Sequence, residues 1–176
     1  MSDLTGIRLV MAPALESVRA RIQLSEQGMQ LYSRLEESPE VIGHKDVWAR
    51  LIHVKDQDAV NWGSLENEGK VVLAMKSFAH HTSIYTFSPV LPASFLRGLA
   101  RYAGVHIYHD RNDTFYVSKS FLCLNADGAG KRVLNFPQPV DLSDPFTGKT
   151  QLQNATQNSF HLNDKETKLI RYAAVH

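Results

Sequence analysis

The sequence predicts an α+β fold, a mixed sheet with one clear crossover helix followed by an antiparallel β module. Two groups of observations predict it. Short alternating apolar runs recur from Gly6 onward, and one amphipathic helix occupies Pro92 to Ala103. After that helix, turn signals return about every ten residues, the rhythm of a small sandwich-like module.

Taken in order, "GIRLVMA" (Gly6 to Ala12) and "SVRARIQL" (Ser17 to Leu24) alternate and read as strands joined by the hairpin-sized "PALE". The polar stretch Ser25 to Asp46 reads mostly as loop, with room for one helical turn before Pro39. "VWARLIHVKD" (Val47 to Asp56) alternates again, and "KVVLAMK" (Lys70 to Lys76) is a near-continuous apolar run suited to a strand covered on both faces. "HTSIYTFS" (His81 to Ser88) is a further strand.

Pro92 suits a first helical turn, and Phe95, Leu96, Leu99, Tyr102 and Ala103 then recur at helical spacing. Gly104 stands where a left-handed cap is wanted, and "VHIYH" follows as a predicted strand. Strand, helix and strand with short links is the pattern of a crossover unit. Next come "TFYVS", "SFLCLNA", "RVLNF", "TQLQ", "NSFHL" and "TKLIRY", separated by the turns "RND", "DGAGK" and "DPFTGK". The domain boundary falls near Lys131, dividing residues 1–130 from 131–176.

The 176 residues, 43% apolar and 21% charged, suffice for one domain with a sizeable core. Nineteen basic against 18 acidic residues give a net charge of +1, so no charge excess calls for nucleic acid or an anionic membrane. A single cysteine, Cys123, excludes an internal disulfide framework and a cysteine metal site. The amino-terminal segment is broken by Asp3, Arg8, Pro13 and Glu16, and no window reaches the roughly 18 apolar residues of a membrane span. A cytoplasmic protein is expected.

Candidate chemistry is sparse. His106 and His109 lie three apart on a predicted strand, so they face opposite ways and cannot chelate one metal. His106 shares its face with Tyr108 and Asp110, a trio able to hydrogen-bond a polar ligand; the structural alternative is one satisfied core histidine and one at the rim. His80 and His81, with His53 and His161, show no ligand spacing, and no metal is expected. Cys123 sits on an apolar strand, where an inert buried thiol is expected. No G-x-S-x-G elbow occurs, and "GAG" (Gly128 to Gly130) opens no helix, so no dinucleotide cofactor is expected. Asp110 and Asp113 flank one turn and Asp141 and Asp144 another, where carboxylates cap backbone amides. Tyr85, Tyr108 and Tyr116 belong to a set with Trp48, Trp62, Phe78 and Phe115. Such rings either stack on a sugar or fill a core.

The blocks "TSIYTFSPVLPASFLRGLARYAGVHIY", "DTFYVSKSFLCLNA" and "KRVLNFPQPVDLSDPFTGK", with "ETKLIRYA", resemble the C-terminal region of bacterial relatives of β-galactosidase-like glycoside hydrolases. The resemblance spans roughly residues 45 to 173, with "DLTGIRL" fitting more loosely. It implies a partial glutamine-amidotransferase-like α/β domain of the trimerisation type over 1–130, and a small β module over 131–176. Such domains serve assembly and lack a catalytic cysteine. No family catalytic residue has a counterpart in this chain, and the first half of that domain and the catalytic barrel are missing from it.

The expected function is therefore a non-catalytic accessory or assembly domain of a carbohydrate-active protein. Its partner would be another protein or a second copy. A small saccharide-acting hydrolase and a stand-alone sugar-binding module are the alternatives. Weak ligand contacts would fall to His106, Tyr108, Asp110 and Tyr85.

Overall fold

The computed structural model describes residues 2–18, 20–31, 41–43 and 47–175. Of the predicted loop 25–46, residues 32–40 and 44–46 lie outside them, as does the side chain of Trp48. The chain divides into two compact units, Met1–Leu99 and Ala100–His176.

The first unit contains α1 (Ser2–Thr5), β1 (Leu9–Met11), β2 (Glu16–Val18), β3 (Arg21–Leu24) and α2 (Glu26–Gln30). It continues through β4 (Val41–Gly43), β5 (Val47–Ala49), β6 (Ile52–Val54), β7 (Val60–Leu65), β8 (Val71–Ser77) and β9 (Thr82–Thr86). The main sheet runs β4-β3-β7-β8-β9, every neighbour antiparallel, beside the two-stranded ribbons β1-β6 and β2-β5. The two long alternating stretches each split into two short strands, β2 with β3 and β5 with β6. β8 matches its apolar run: Val72, Leu73 and Ala74 are all fully buried. Leu73 packs with Ile22, Leu51, Trp62 and Phe95, while Ala74 packs with Ile7, Val54 and Tyr85.

The short α2 is fixed from both ends of its first turn. Ser25 Oγ accepts the Gly28 N–H at 3.1 Å, the expected N-cap contact. A Cβ on Gly28 would stand 2.1 Å from the carbonyl oxygen of Trp62, so only glycine lets this turn lie so close to β7.

The predicted helix is α3 (Ala93–Tyr102), which spans the division between the units. Its end is a Schellman cap: Gly104 adopts φ +74°, its N–H donates to Arg101 O at 3.0 Å, and Val105 N–H donates to Ala100 O at 2.8 Å.

The predicted α+β class with a crossover helix is corrected by the structure. Among the described residues the chain is mostly β, with fourteen strands and three helices, and every strand pairing is antiparallel. A crossover joins two parallel strands of one sheet. Here α3 leaves from the edge strand β9, and the next strand belongs to the other five-stranded sheet. The "VHIYH" segment is not a strand either. Local spacing is the same for a helix that crosses over a sheet and one that leaves it, so the pattern alone could not separate them.

The second unit holds β10 (Thr114–Val117), β11 (Phe121–Asn125), β12 (Gly130–Ser143), β13 (Thr150–Leu162) and β14 (Thr167–Ala174), in the order β10-β11-β14-β12-β13. The sequence boundary near Lys131 coincides with the start of β12, a strand inside this unit. Leu122, Leu124, Leu134, Phe136, Leu142, Leu162 and Ile170 form its core. β12 continues through Pro137 and Pro139, past the end of the predicted strand "RVLNF" at Phe136. Its register with β13 jumps between Asn135 and Val140, and beyond the jump it pairs with β14 as well. Prolines lack an N–H, and this interruption of the ladder is where they are tolerated.

Candidate functional site

Three polar groupings stand out, one in the first unit and two in the second. In the second unit, Asp113 immediately precedes β10 and Arg132 lies on β12. The guanidinium donates from Nε to Asp113 Oδ2 at 2.7 Å and from Nη2 to Oδ1 at 3.0 Å. Its remaining donors reach Gly130 O at 2.9 Å and Gly128 O at 2.6 Å, fastening the "DGAGK" turn. Asp113 also accepts from the Asp127 N–H at 2.7 Å. His109 places Nε2 2.7 Å from Asp113 Oδ2 and Nδ1 3.2 Å from Val133 O, so both ring nitrogens face acceptors. Burial opposes ionisation of Asp113, but the hydrogen bonds from Arg132, the Asp127 amide and His109 outweigh it and hold the carboxyl below its ordinary range. Every polar atom in this group is spoken for, so its chemistry is structural.

The sequence-predicted trio sits alongside. His106 Nε2 lies 2.8 Å from Asn135 O, and its ring meets Tyr108 edge-on with centroids 4.7 Å apart. Tyr108 in turn touches Phe115 and Phe136. Asp110 is ion-paired with Arg101. The structure thus brings His106 and Tyr108 together and gives Asp110 a partner of its own. Tyr85 belongs to the core of the first unit, where its hydroxyl donates to Ile52 O at 2.8 Å and burial pushes its pKa up to about 12. Of the aromatics singled out, Tyr116 is 70% exposed and Trp62 is buried.

The third grouping lines a surface cleft of about 740 Å³ in the first unit, walled by Gly6, Arg8, Val54, Asp56, Asp58 and Lys76 among others. Lys76 Nζ lies 2.9 Å from Asp56 Oδ2 and 3.6 Å from Asp58 Oδ2. Asp56 also accepts the N–H groups of Arg8 at 2.9 Å and Asp58 at 3.0 Å. The Arg8 amide first, then Lys76, hold the Asp56 carboxyl below its usual range, and the bond to Asp56 raises the ammonium of Lys76. Sequence reasoning missed this pair because Asp56 and Lys76 look like ordinary polar strand ends; only the fold makes them neighbours.

In chemical terms, a glycosidase acid is a carboxyl kept protonated by a raised pKa, facing a second carboxylate. Asp56 and Asp58 instead share an ammonium, and Asp56 is biased the opposite way. Among the described residues, no three His, Cys, Asp or Glu side chains gather as metal ligands, and no helix is long and apolar enough to cross a membrane.

No family model and no curated protein matches the sequence. Among solved structures, the chain is similar to the crystal structure of β-galactosidase from Bacillus circulans sp. alkalophilus. The TM-score is 0.52 at 15% identity, over 98% of this chain and 25% of that one. The chain therefore spans about a quarter of that protein's length, and the likeness is one of fold.

Proposed function

We propose that this chain is a non-catalytic accessory part of a carbohydrate-active protein, working through a protein interface. The observation that carries the proposal is the shared fold with a quarter of a β-galactosidase chain. The state of the carboxylates supports the non-catalytic half. Asp113 is enclosed by Arg132 and His109, and Asp56 is bound by Lys76 and two amides.

A thermal-shift screen against mono- and oligosaccharides tests the interface half. The interface reading predicts melting curves that no sugar moves. A ligand at about 100 times its dissociation constant stabilises a fold by roughly 2.7 kcal/mol, so a bound sugar would be plain and would replace this reading. The sugar-binding alternative has one observation in its favour, the solvent-facing ring of Tyr116. Under it, Tyr116→Ala abolishes any sugar-induced shift.

A further inference from the structure

A sheet edge is where a β protein lies open to a partner, because its outer N–H and C=O groups have no strand beside them. The two five-stranded sheets have four edges: β4, β9, β10 and β13. The first three are short, at three, five and four residues, which by itself blunts an edge. β13 runs for thirteen residues.

Its sequence, TQLQNATQNSFHL, contains no Asp, Glu, Lys, Arg or Pro. The usual guards of an edge strand, an outward lysine or a proline, are therefore absent. The first half of β13 is irregular: its register with β12 shifts three times, between Asn135 and Val140, between Val140 and Leu142 and between Leu142 and Ser143, and Asn154 in this stretch adopts φ +51°. Beyond it the ladder is regular, with Gln157 to Leu162 opposite Asn135 to Gly130 residue for residue. Gln157, Ser159 and His161 on this stretch are exposed. Among the described residues, the backbone from Gln157 to Leu162 hydrogen-bonds to β12 and to no other element.

We propose that β13 is a self-association edge, pairing antiparallel with β13 of a second copy across a twofold axis and joining two five-stranded sheets into one. The charge pattern selects this occupant. In an antiparallel twofold pair the strand meets itself, and like charges opposite one another would be destabilising. β13 carries none at any register, and a foreign strand chosen by charge would find nothing on it to read. Its side-chain amides at Gln151, Gln153, Asn154 and Asn158 add hydrogen-bonding groups to such a ladder.

The inference rests on the interface half of the proposed function, and its test is separate from the saccharide screen. Sedimentation velocity of the purified chain across micromolar concentrations should show a concentration-dependent dimer. The double variant Thr156→Lys/Ser159→Lys should raise the dimer dissociation constant at least about tenfold, with circular dichroism unchanged and a melting temperature equal to the parent's at concentrations where both are monomeric. Hydrogen exchange on the unaltered chain makes the test independent of how the variant folds: amides of β13 should exchange more slowly as concentration rises. A chain that stays monomeric, or a dimer whose β13 amides are indifferent to concentration, overturns the proposal. So does a folded lysine variant that dimerises as well as the parent. None of these outcomes bears on whether the chain is catalytic.

Discussion

Arg132 and Asp113 form a two-point ion pair at 2.7 and 3.0 Å, with side chains 0% and 1% exposed. The pair ties β12 to the residue preceding β10, and the same guanidinium closes the turn before β12. Removing one partner strands a charge away from water. Asp113→Ala should therefore cost about 3–5 kcal/mol, measured by urea unfolding. A loss below about 1 kcal/mol would mean that the pair is no better than a surface bridge.

Acid should weaken the fold through the same carboxylate. Asp113 and Asp56 are held below the ordinary value of 3.8. The unfolded chain then binds protons at a pH where the folded chain does not. The stability they supply is full above that ordinary value and drains away as pH falls through the lower folded values. Unfolding curves between neutral pH and about pH 3 should show this decline, and Asp113→Asn should flatten part of it. An undiminished slope in the variant would remove Asp113 from the account.

Tyr85 contributes to the alkaline limb, where Tyr172, Lys76 and Lys165 are also raised. Its pKa is raised from 10.0 to about 12 by burial, so the folded state holds the phenol proton more tightly than the unfolded one. The stability it gives is complete below pH 10 and is lost as pH rises toward the folded value. Tyr85→Phe should abolish that loss while costing about 1 kcal/mol at neutral pH from the missing bond to Ile52 O. Phenolate absorbance, compared between the two proteins, reads the titration directly.

Two glycines should separate conformational strain from steric contact. Gly104→Ala meets no atom within 4 Å but must hold φ +74°, and should cost about 1 kcal/mol. Gly28→Ala drives a Cβ to 2.1 Å from Trp62 O and should cost more, because backbone on both sides must shift. Equal losses in thermal unfolding would contradict the close approach of α2 to β7.

How far the fold could be read from the sequence depended on how local its cause was. The helix α3 and its glycine cap were legible, since spacing and cap chemistry lie within a dozen residues. The apolar run of β8 and the turns at Gly128 and Asp144 were legible for the same reason. The antiparallel partner of a strand is chosen by distant residues, so the departure of α3 into a second sheet looked like a crossover. Arg132, a charge inside the apolar alternation of "RVLNF", was the one hint of the buried ion group, but its partner lies nineteen positions away. His106 and Tyr108 were nominated as strand neighbours. The structure places their rings together on an irregular segment, held by Asn135 rather than by a ladder.

The non-catalytic claim is tested most directly by incubating the purified chain with aryl β-galactosides and related aryl glycosides between about pH 4 and 8, a range that covers raised catalytic carboxyls. The account predicts aglycone release equal to that of buffer, and no difference between the chain and Asp56→Asn. Release by the chain that disappears in Asp56→Asn or Asp58→Asn would contradict it and make the Lys76 cleft an active site.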